Sequence, residues 1–162
     1  MRRYHFIMLF LVFLSGCASP VVHKINFSHD YTPTMVNRVA ILNFNKGSDV
    51  ALNADVVVDK FTAAMVGSRF KIVDRADLKK IIEEAKFQHT ASGIIDDTTR
   101  QQLKQLGADT ILTGTLHTYM EERKNNFILY AEVYLTAKLL KVETGEILWS
   151  AEILKRERAK NV

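Results

Sequence analysis

The clearest periodic pattern lies in the last third of the chain, where apolar and polar residues alternate over residues 127–142. Successive side chains of a β-strand point to opposite faces, so the alternation predicts one long strand with a buried face. The positions expected inside are Leu129, Ala131, Val133, Leu135, Ala137 and Leu139. The positions expected to be partly exposed are Tyr130, Glu132, Tyr134, Thr136 and Lys138.

Shorter patterns place the remaining elements. Uninterrupted apolar runs predict buried strands, and apolar residues repeated every three to four positions predict helices with one buried face. The strands are expected over residues 38–44, 70–73, 110–120, 127–142 and 146–154, and the helices over 51–66, from a cap at Asp74, and over 98–106. Residues 121–126 are charged and polar and predict a hairpin tip. The order β-α-β-α-α-β-β-β indicates an α/β (α+β) fold with helices packed against a single mixed sheet.

The first 17 residues have the layout of a secretory signal. Arg2 and Arg3 precede nine apolar residues, and Ser15 and Gly16 supply a small-residue cleavage edge. The apolar run is shorter than the roughly 20 residues that a membrane helix needs. The segment 14–17, Leu-Ser-Gly-Cys, is similar to the lipobox of bacterial lipoproteins, which implies acylation of Cys17 and cleavage before it. The alternative is an ordinary signal peptide with a buried cysteine.

The segments that flank the predicted domain are interpreted from composition. Residues 18–36 contain both prolines of the chain and sustain no apolar period, so they predict a flexible tether with a typical span of roughly 24 Å. The last residues are basic and suit either a solvated tail or a contact with an anionic surface. The expected organisation is a signal peptide (1–16), a lipidated N-terminus and tether (17–36), a folded domain (37–155) and a basic tail (156–162).

Charge and cysteine content narrow the possible partners. The formal charge is +4, and removal of Arg2 and Arg3 with the signal leaves +2. A nearly neutral chain gives no general reason to expect nucleic acid as a partner. Cys17 is the only cysteine, so no internal disulfide is expected. Ala18 and Ser19 follow it without an acidic residue, and by the sorting rule for lipoproteins this favours the outer membrane, with the domain facing the periplasm.

No constellation typical of catalysis is visible in the sequence. A phosphate-binding glycine loop, a nucleophile elbow and a paired-histidine metal motif are all missing. His89 and His117 are the remaining candidates for chemistry, and Asp96 and Asp97 are interpreted as helix caps rather than a cation site. We therefore expect no enzyme, no cofactor and no metal. Tyr119, Tyr130 and Tyr134 predict either an aromatic contact patch or a surface covered by a helix or the tether.

From the first predicted strand to the last, the chain resembles the CsgG family of the curli secretion channel. The segments that carry the resemblance are 39–44, 69–78, 91–93, 106–116 and 142–150. The resemblance implies a lipid-anchored subunit or accessory factor of outer-membrane secretion or envelope assembly, with envelope proteins as partners and homo-oligomers as one form. The connection after Met120 is too short for the pore hairpins of that channel. The alternative is an LpoB-type module that binds and activates a peptidoglycan synthase.

Overall fold

The computed structural model describes residues 21–48, 50–84, 97–125 and 127–158, and these form one seven-stranded mixed sheet with three α-helices. This confirms the predicted fold class. The strands are β1 (Val21–Phe27), β2 (Arg38–Ile41), β3 (Asn45–Lys46), β4 (Lys71–Ile72), β5 (Thr110–Lys124), β6 (Phe127–Lys141) and β7 (Ile147–Arg158). The helices are α1 (Ala54–Met65), α2 (Arg75–Glu84) and α3 (Asp97–Gln105), and one 3₁₀ turn covers Pro33–Met35.

The strands lie in the order β1-β7-β6-β5-β2-β4, and the short β3 also pairs with β5. Strand β2 is parallel to both β4 and β5, and β3 is parallel to β5, whereas the pairs β5–β6, β6–β7 and β7–β1 are antiparallel. The sheet therefore has a short parallel part and a long antiparallel part. Only the antiparallel part is long enough to extend beyond the helices.

Helices pack on both faces of the sheet. Helix α1 contacts one face, the α1 face, where the buried set is Val39, Ile41, Val58, Leu112, Leu116, Leu135, Ala137 and Leu139. Helices α2 and α3 contact the opposite face, the α2–α3 face, where the buried set is Ala40, Leu42, Val73, Leu78, Leu103, Ile111, Leu140 and Val142. Among the described residues, no helix combines the length and apolar character needed to cross a bilayer.

Helix starts follow the predicted capping chemistry. The Asp74 carboxylate accepts a hydrogen bond of 2.7 Å from the backbone N–H of Ala76 at the start of α2. Asn53 accepts one of 3.0 Å from the backbone N–H of Asp55 at the start of α1. These side chains satisfy N–H groups that have no partner inside the helix. Asp97 is the first residue of α3, while Asp96 lies outside the described residues.

The prediction of a flexible tether over residues 17–36 is wrong for residues 21–27, which form β1. This strand pairs with β7 over seven residues, from Val21 opposite Lys155 to Phe27 opposite Trp149. The described side chains of β1 are exposed, so no alternation of buried and polar residues marks it in the sequence. Backbone pairing makes it a strand, because β7 would otherwise present a row of unpaired N–H and C=O groups.

The long strands also extend further than predicted. Strand β5 continues to Lys124, so most of the predicted charged tip is strand, and Asn125 turns the chain with a φ of 49°. Strand β7 continues to Arg158, into the predicted tail 156–162. Of the six predicted core positions of β6, only Leu135, Ala137 and Leu139 are buried. Val133 packs partly buried against the cluster of the α1 face, Ala131 is half-buried and Leu129 is exposed, so burial decreases toward the hairpin turn.

Gly114 is predicted to be the least replaceable glycine of the sheet. A Cβ atom there would overlap the carbonyl oxygen of Thr136 and lie 2.6 Å from the Phe44 ring, which stacks on Phe61 of α1. We expect Gly114→Ala to lower the free energy of unfolding by about 2–3 kcal/mol, as overpacking does. Urea unfolding measures this. Gly67→Ala is the control, because Gly67 has open space and only a positive φ, and it should cost about 1 kcal/mol. Equal losses in the two variants would contradict the explanation.

Candidate interaction surface

The distal part of the α2–α3 face is not covered by any helix in the described part of the chain. We call this surface the open face; its side chains come from four adjacent strands and share one side of the sheet, as the register shows. They include Lys24 from β1, His117 from β5, Tyr130, Glu132, Tyr134 and Thr136 from β6, and Glu152, Leu154 and Arg156 from β7. The open face is polar and aromatic, unlike the apolar part under α2 and α3.

Tyr134 lies at the centre of the open face and is held from both sides. Its hydroxyl donates a hydrogen bond of 2.8 Å to Glu152 on β7. Its ring stacks on the His117 imidazole of β5, with centroids 4.6 Å apart. His117 in turn has its Nε2 2.9 Å from the hydroxyl of Thr136. The ring is therefore fixed in place before any partner arrives, which lowers the entropy lost on binding.

A second tyrosine–carboxylate pair lies one step further toward the hairpin. The Tyr130 hydroxyl donates a hydrogen bond to Glu132, and Arg156 of β7 donates one of 2.7 Å from Nε to the same carboxylate. The two pairs border a shallow depression of about 360 Å³, lined by Lys24, Glu132, Tyr134, Glu152 and Leu154. Both signs of charge and one apolar side chain thus line a single concave surface.

Hydrogen bonds between tyrosines and carboxylates shift the pKa values of side chains on the open face. A hydrogen bond to Glu132 raises the pKa of Tyr130, and one to Glu152 raises the pKa of Tyr134. The Tyr130 hydrogen bond lowers the pKa of Glu132. A raised tyrosine pKa gives stability that is present below the ordinary value and lost as pH rises above it; a lowered glutamate pKa gives stability that is lost as pH falls. The Tyr130–Glu132 hydrogen bond therefore contributes at intermediate pH, and its contribution is lost both on acidification and at strongly alkaline pH.

Tyr119 is not part of the open face. Its side chain packs beside the buried cluster of the α1 face, and its hydroxyl donates a hydrogen bond to Glu121. The cause is a β-bulge: Leu116 pairs with Leu135 and Thr118 pairs with Tyr134, so β5 has one extra residue at His117. Beyond a bulge, side chains point to the opposite side from that given by simple alternation. No glycine marks this bulge in the sequence.

The other candidate residues do not form a chemical site. His23 and His29 are exposed, and Asp97 pairs with Arg100. Cys17, His89 and Asp96 lie outside the described residues. Within the described ranges, no three His, Cys, Asp or Glu side chains come together as a metal site. The structure instead adds residues that sequence reasoning did not select, namely His117 as a stacking partner with Glu152, Leu154 and Arg156 from β7. Only the strand register brings them beside the tyrosines.

Comparison with protein families gives a match over nearly the whole chain. The model of the peptidoglycan-synthase activator LpoB matches residues 14–153. The chain belongs to the LpoB family of peptidoglycan-synthase activators. The match includes the Leu-Ser-Gly-Cys segment and reaches into β7. A comparison with curated protein sequences gives no match.

Solved structures show the same fold at low sequence identity. Lipoprotein GNA1162 from Neisseria meningitidis is 15% identical with a TM-score of 0.61, over 78% of this chain and 86% of that one. PelC from Paraburkholderia phytofirmans, solved as a dodecamer, is 10% identical with a TM-score of 0.57, over 88% and 86%. The LpoB C-terminal domain from Salmonella enterica is 17% identical with a TM-score of 0.52, over 77% and 83%.

These findings correct the interpretation as a CsgG-family protein of curli secretion. The matching family is LpoB, so the assignment to the secretion channel family and the curli-like function are wrong. The segments 39–44, 69–78, 106–116 and 142–150 contain strands, a helix start and turns, and 91–93 lies outside the described residues; such segments mark a fold more than a function. For the family as a whole, the description implies an envelope protein whose partner is a peptidoglycan synthase.

The Tyr134–Glu152 hydrogen bond gives a testable titration. We expect Glu152→Gln to lower the pKa of Tyr134 toward the ordinary tyrosine value, because it removes the charge-assisted hydrogen bond to the carboxylate and the charge that disfavours tyrosinate. Absorbance of tyrosinate during an alkaline titration measures this, and the variant should begin to ionise at lower pH. Glu143→Gln, in the exposed turn after β6, is the control and should leave the curve unchanged. Identical curves for wild type and Glu152→Gln would contradict the described hydrogen bond.

Proposed function

We propose that this chain is a lipid-anchored periplasmic protein that binds a peptidoglycan synthase and raises its activity. The single observation that carries the proposal is the family match over residues 14–153, which includes both the lipobox-like segment and most of the sheet. The protein is proposed to act by binding and not by catalysis of its own. This agrees with a surface built from paired tyrosines and carboxylates.

The proposed anchor is Cys17, acylated after cleavage of residues 1–16, in the periplasmic leaflet of the outer membrane. Two or more acyl chains hold a protein stably on a membrane, whereas one chain gives marginal binding. Residues 14–17 supply the acceptor and the small residues that precede it. Self-association, as in the PelC dodecamer, stays a prediction for this chain.

The proposed contact surface for the synthase is the open face. Tyrosine side chains are frequent in interface centres because they bring large contact area at a small entropy loss. Tyr134 meets this requirement, since Glu152 on β7 and the His117 ring on β5 hold it, and the Tyr130 hydroxyl is held by Glu132 on its own strand. Glu132 and Glu152 beside Lys24 and Arg156 favour a partner surface that carries both signs of charge.

Truncation of Tyr134 tests the contact surface. We expect Tyr134→Ala to weaken binding to the purified synthase of the source bacterium by about 2 kcal/mol, roughly 30-fold, which is typical of a central interface tyrosine. Stimulation of peptidoglycan synthesis, titrated with each variant, measures it. Tyr119→Ala is the matched control on the α1 face: it should lower thermal stability without changing stimulation at a temperature where it is folded. Equal stimulation by wild type and Tyr134→Ala would exclude the open face.

Replacement of Cys17 tests the anchor. We expect Cys17→Ala to leave the fold intact, because the described sheet makes no use of that residue, and to release the protein from membranes. Membrane fractionation and mass measurement of the processed protein follow both effects. Activation in cells should be lost, since the domain is no longer held at the membrane surface. Ser19→Ala, two residues away, is the control and should stay acylated. A Cys17→Ala protein that retains membrane attachment and full activity would contradict the proposed anchor.

A further inference from the structure

The β5–β6 hairpin ends in a group of exposed apolar side chains. We call its outer part, residues 120–125 and 127–132, the distal hairpin. Met120 is 49% exposed, Phe127 53%, Ile128 37% and Leu129 41%. The three consecutive residues of β6 lie directly beside the turn, and Leu129 has no pairing partner because the register shifts between Glu122 and Arg123. Apolar side chains exposed together at the end of a projecting element mark a contact surface.

The register places the entry of the chain at the same end of the sheet. Val21, the first residue of β1, pairs with Lys155 of β7, and Lys155 pairs with Val133 of β6. From the level of Val133 to Phe127 is six residues. At about 3.4 Å per residue the distal hairpin therefore projects roughly 20 Å beyond the start of β1. It projects from the same end of the sheet at which β1 begins.

The chain between the proposed anchor and the sheet is short. Cys17 precedes Val21 by four residues, and a fully extended chain covers at most about 3.6 Å per residue. The bilayer that holds the acyl chains then lies no more than about 14 Å from Val21. This limit is smaller than the roughly 20 Å projection of the hairpin. With the sheet upright on the membrane, the tip cannot remain clear of the lipid.

We propose that the distal hairpin is a second membrane contact, in which Phe127, Ile128 and Leu129 enter the lipid interface beside the acylated Cys17. The proposal rests on the lipid anchor of the proposed function. A bilayer is the occupant, and not a second protein, because the short N-terminal segment keeps this tip at the lipid surface whichever protein binds elsewhere. The two attachments together fix the orientation of the sheet. Its strands, and with them the open face, are then roughly perpendicular to the membrane plane.

Charge at the tip favours apolar contact over attraction to anionic lipid. The cations of the distal end are Arg123, Lys124, Lys155, Arg156 and Arg158, and the carboxylates are Glu121, Glu122, Glu132 and Glu157. Arg123 pairs with Glu121, Lys155 with Glu157 and Arg156 with Glu132. Charges that nearly cancel give little field beyond the Debye length. We therefore expect the contact to form on zwitterionic lipid too.

The test uses the full acylated protein in phosphatidylethanolamine–phosphatidylglycerol vesicles. Acylation blocks the Cys17 thiol, so Ile128→Cys provides the single thiol for an environment-sensitive fluorophore. We expect lipids with bromine-labelled acyl chains to quench this fluorophore at least twofold. The quenching should be the same in phosphatidylcholine vesicles, which carry no net charge, and it should be unchanged at about 0.5 M salt. Glu143→Cys, in the turn at the opposite end of the sheet, is the matched control and should show no quenching.

A second variant ties the signal to the apolar side chains. Phe127→Ser with Leu129→Ser, added to the labelled Ile128→Cys protein, should remove most of the quenching. Both positions are exposed, so the fold should be retained, and the circular dichroism spectrum checks this. Quenching that survives the double change would overturn the proposal, as would quenching that disappears at high salt.

The outcomes separate this proposal from the proposed function. An acylated, vesicle-bound protein whose label at position 128 stays unquenched overturns the hairpin contact and leaves synthase activation in place. A label that is unquenched by lipid but self-quenches at high protein density identifies a second copy as the occupant, which also overturns it. Quenching together with no stimulation of the synthase supports the hairpin contact and refutes activation. Vesicle binding by a protein that carries no acyl chain on Cys17 refutes the anchor, and with it the argument that places the hairpin at the lipid surface.

Discussion

The antiparallel backbone pairing of β5, β6 and β7 is the constraint on which the rest of this structure depends. Strands β5 and β6 are 15 residues long and β7 is 12, whereas the helices cover only the part near the parallel strands. Hydrophobic burial stabilises the covered part. Beyond it, stability comes from hydrogen bonds of the backbone and from cross-strand pairs. The paired strands β5, β6 and β7 thus form part of the core at one end and have two exposed faces at the other.

The distinction between these two regions explains what the sequence could predict. Burial leaves a pattern of apolar residues, so the strands near the core, the helices and the Asp74 cap were all predictable. Strand β1 leaves no such pattern, because its exposed side chains contribute little and its partner β7 decides its conformation. The bulge at His117 leaves none either, and it moves Tyr119 away from Tyr130 and Tyr134. Which residues share the open face is decided by the pairing of strands that are distant in sequence, and local patterns of apolar residues do not reveal that pairing.

Function was predictable only in part for a related reason. LpoB, PelC and GNA1162 share this fold with the chain at 10–17% identity, and a shared fold does not specify a function. Segments that mark the fold led to the wrong family here. What distinguishes a member of this fold is the surface that its strands build outside the core. In this chain, Tyr134 and its partners from β5 and β7 form that surface.

The pairing of β1 with β7 also has a mechanical consequence. Val21 lies at the distal end and β1 runs antiparallel to β7, so a pull on the N-terminal end of β1 acts along its strand axis. Force in that direction shears the strand, and all seven residue pairs must yield together instead of opening one after another. A tether of the predicted flexible kind would transmit no tension until it was stretched. Strand β1 is therefore held to the sheet by the whole length of its pairing with β7 and not by its first residue alone.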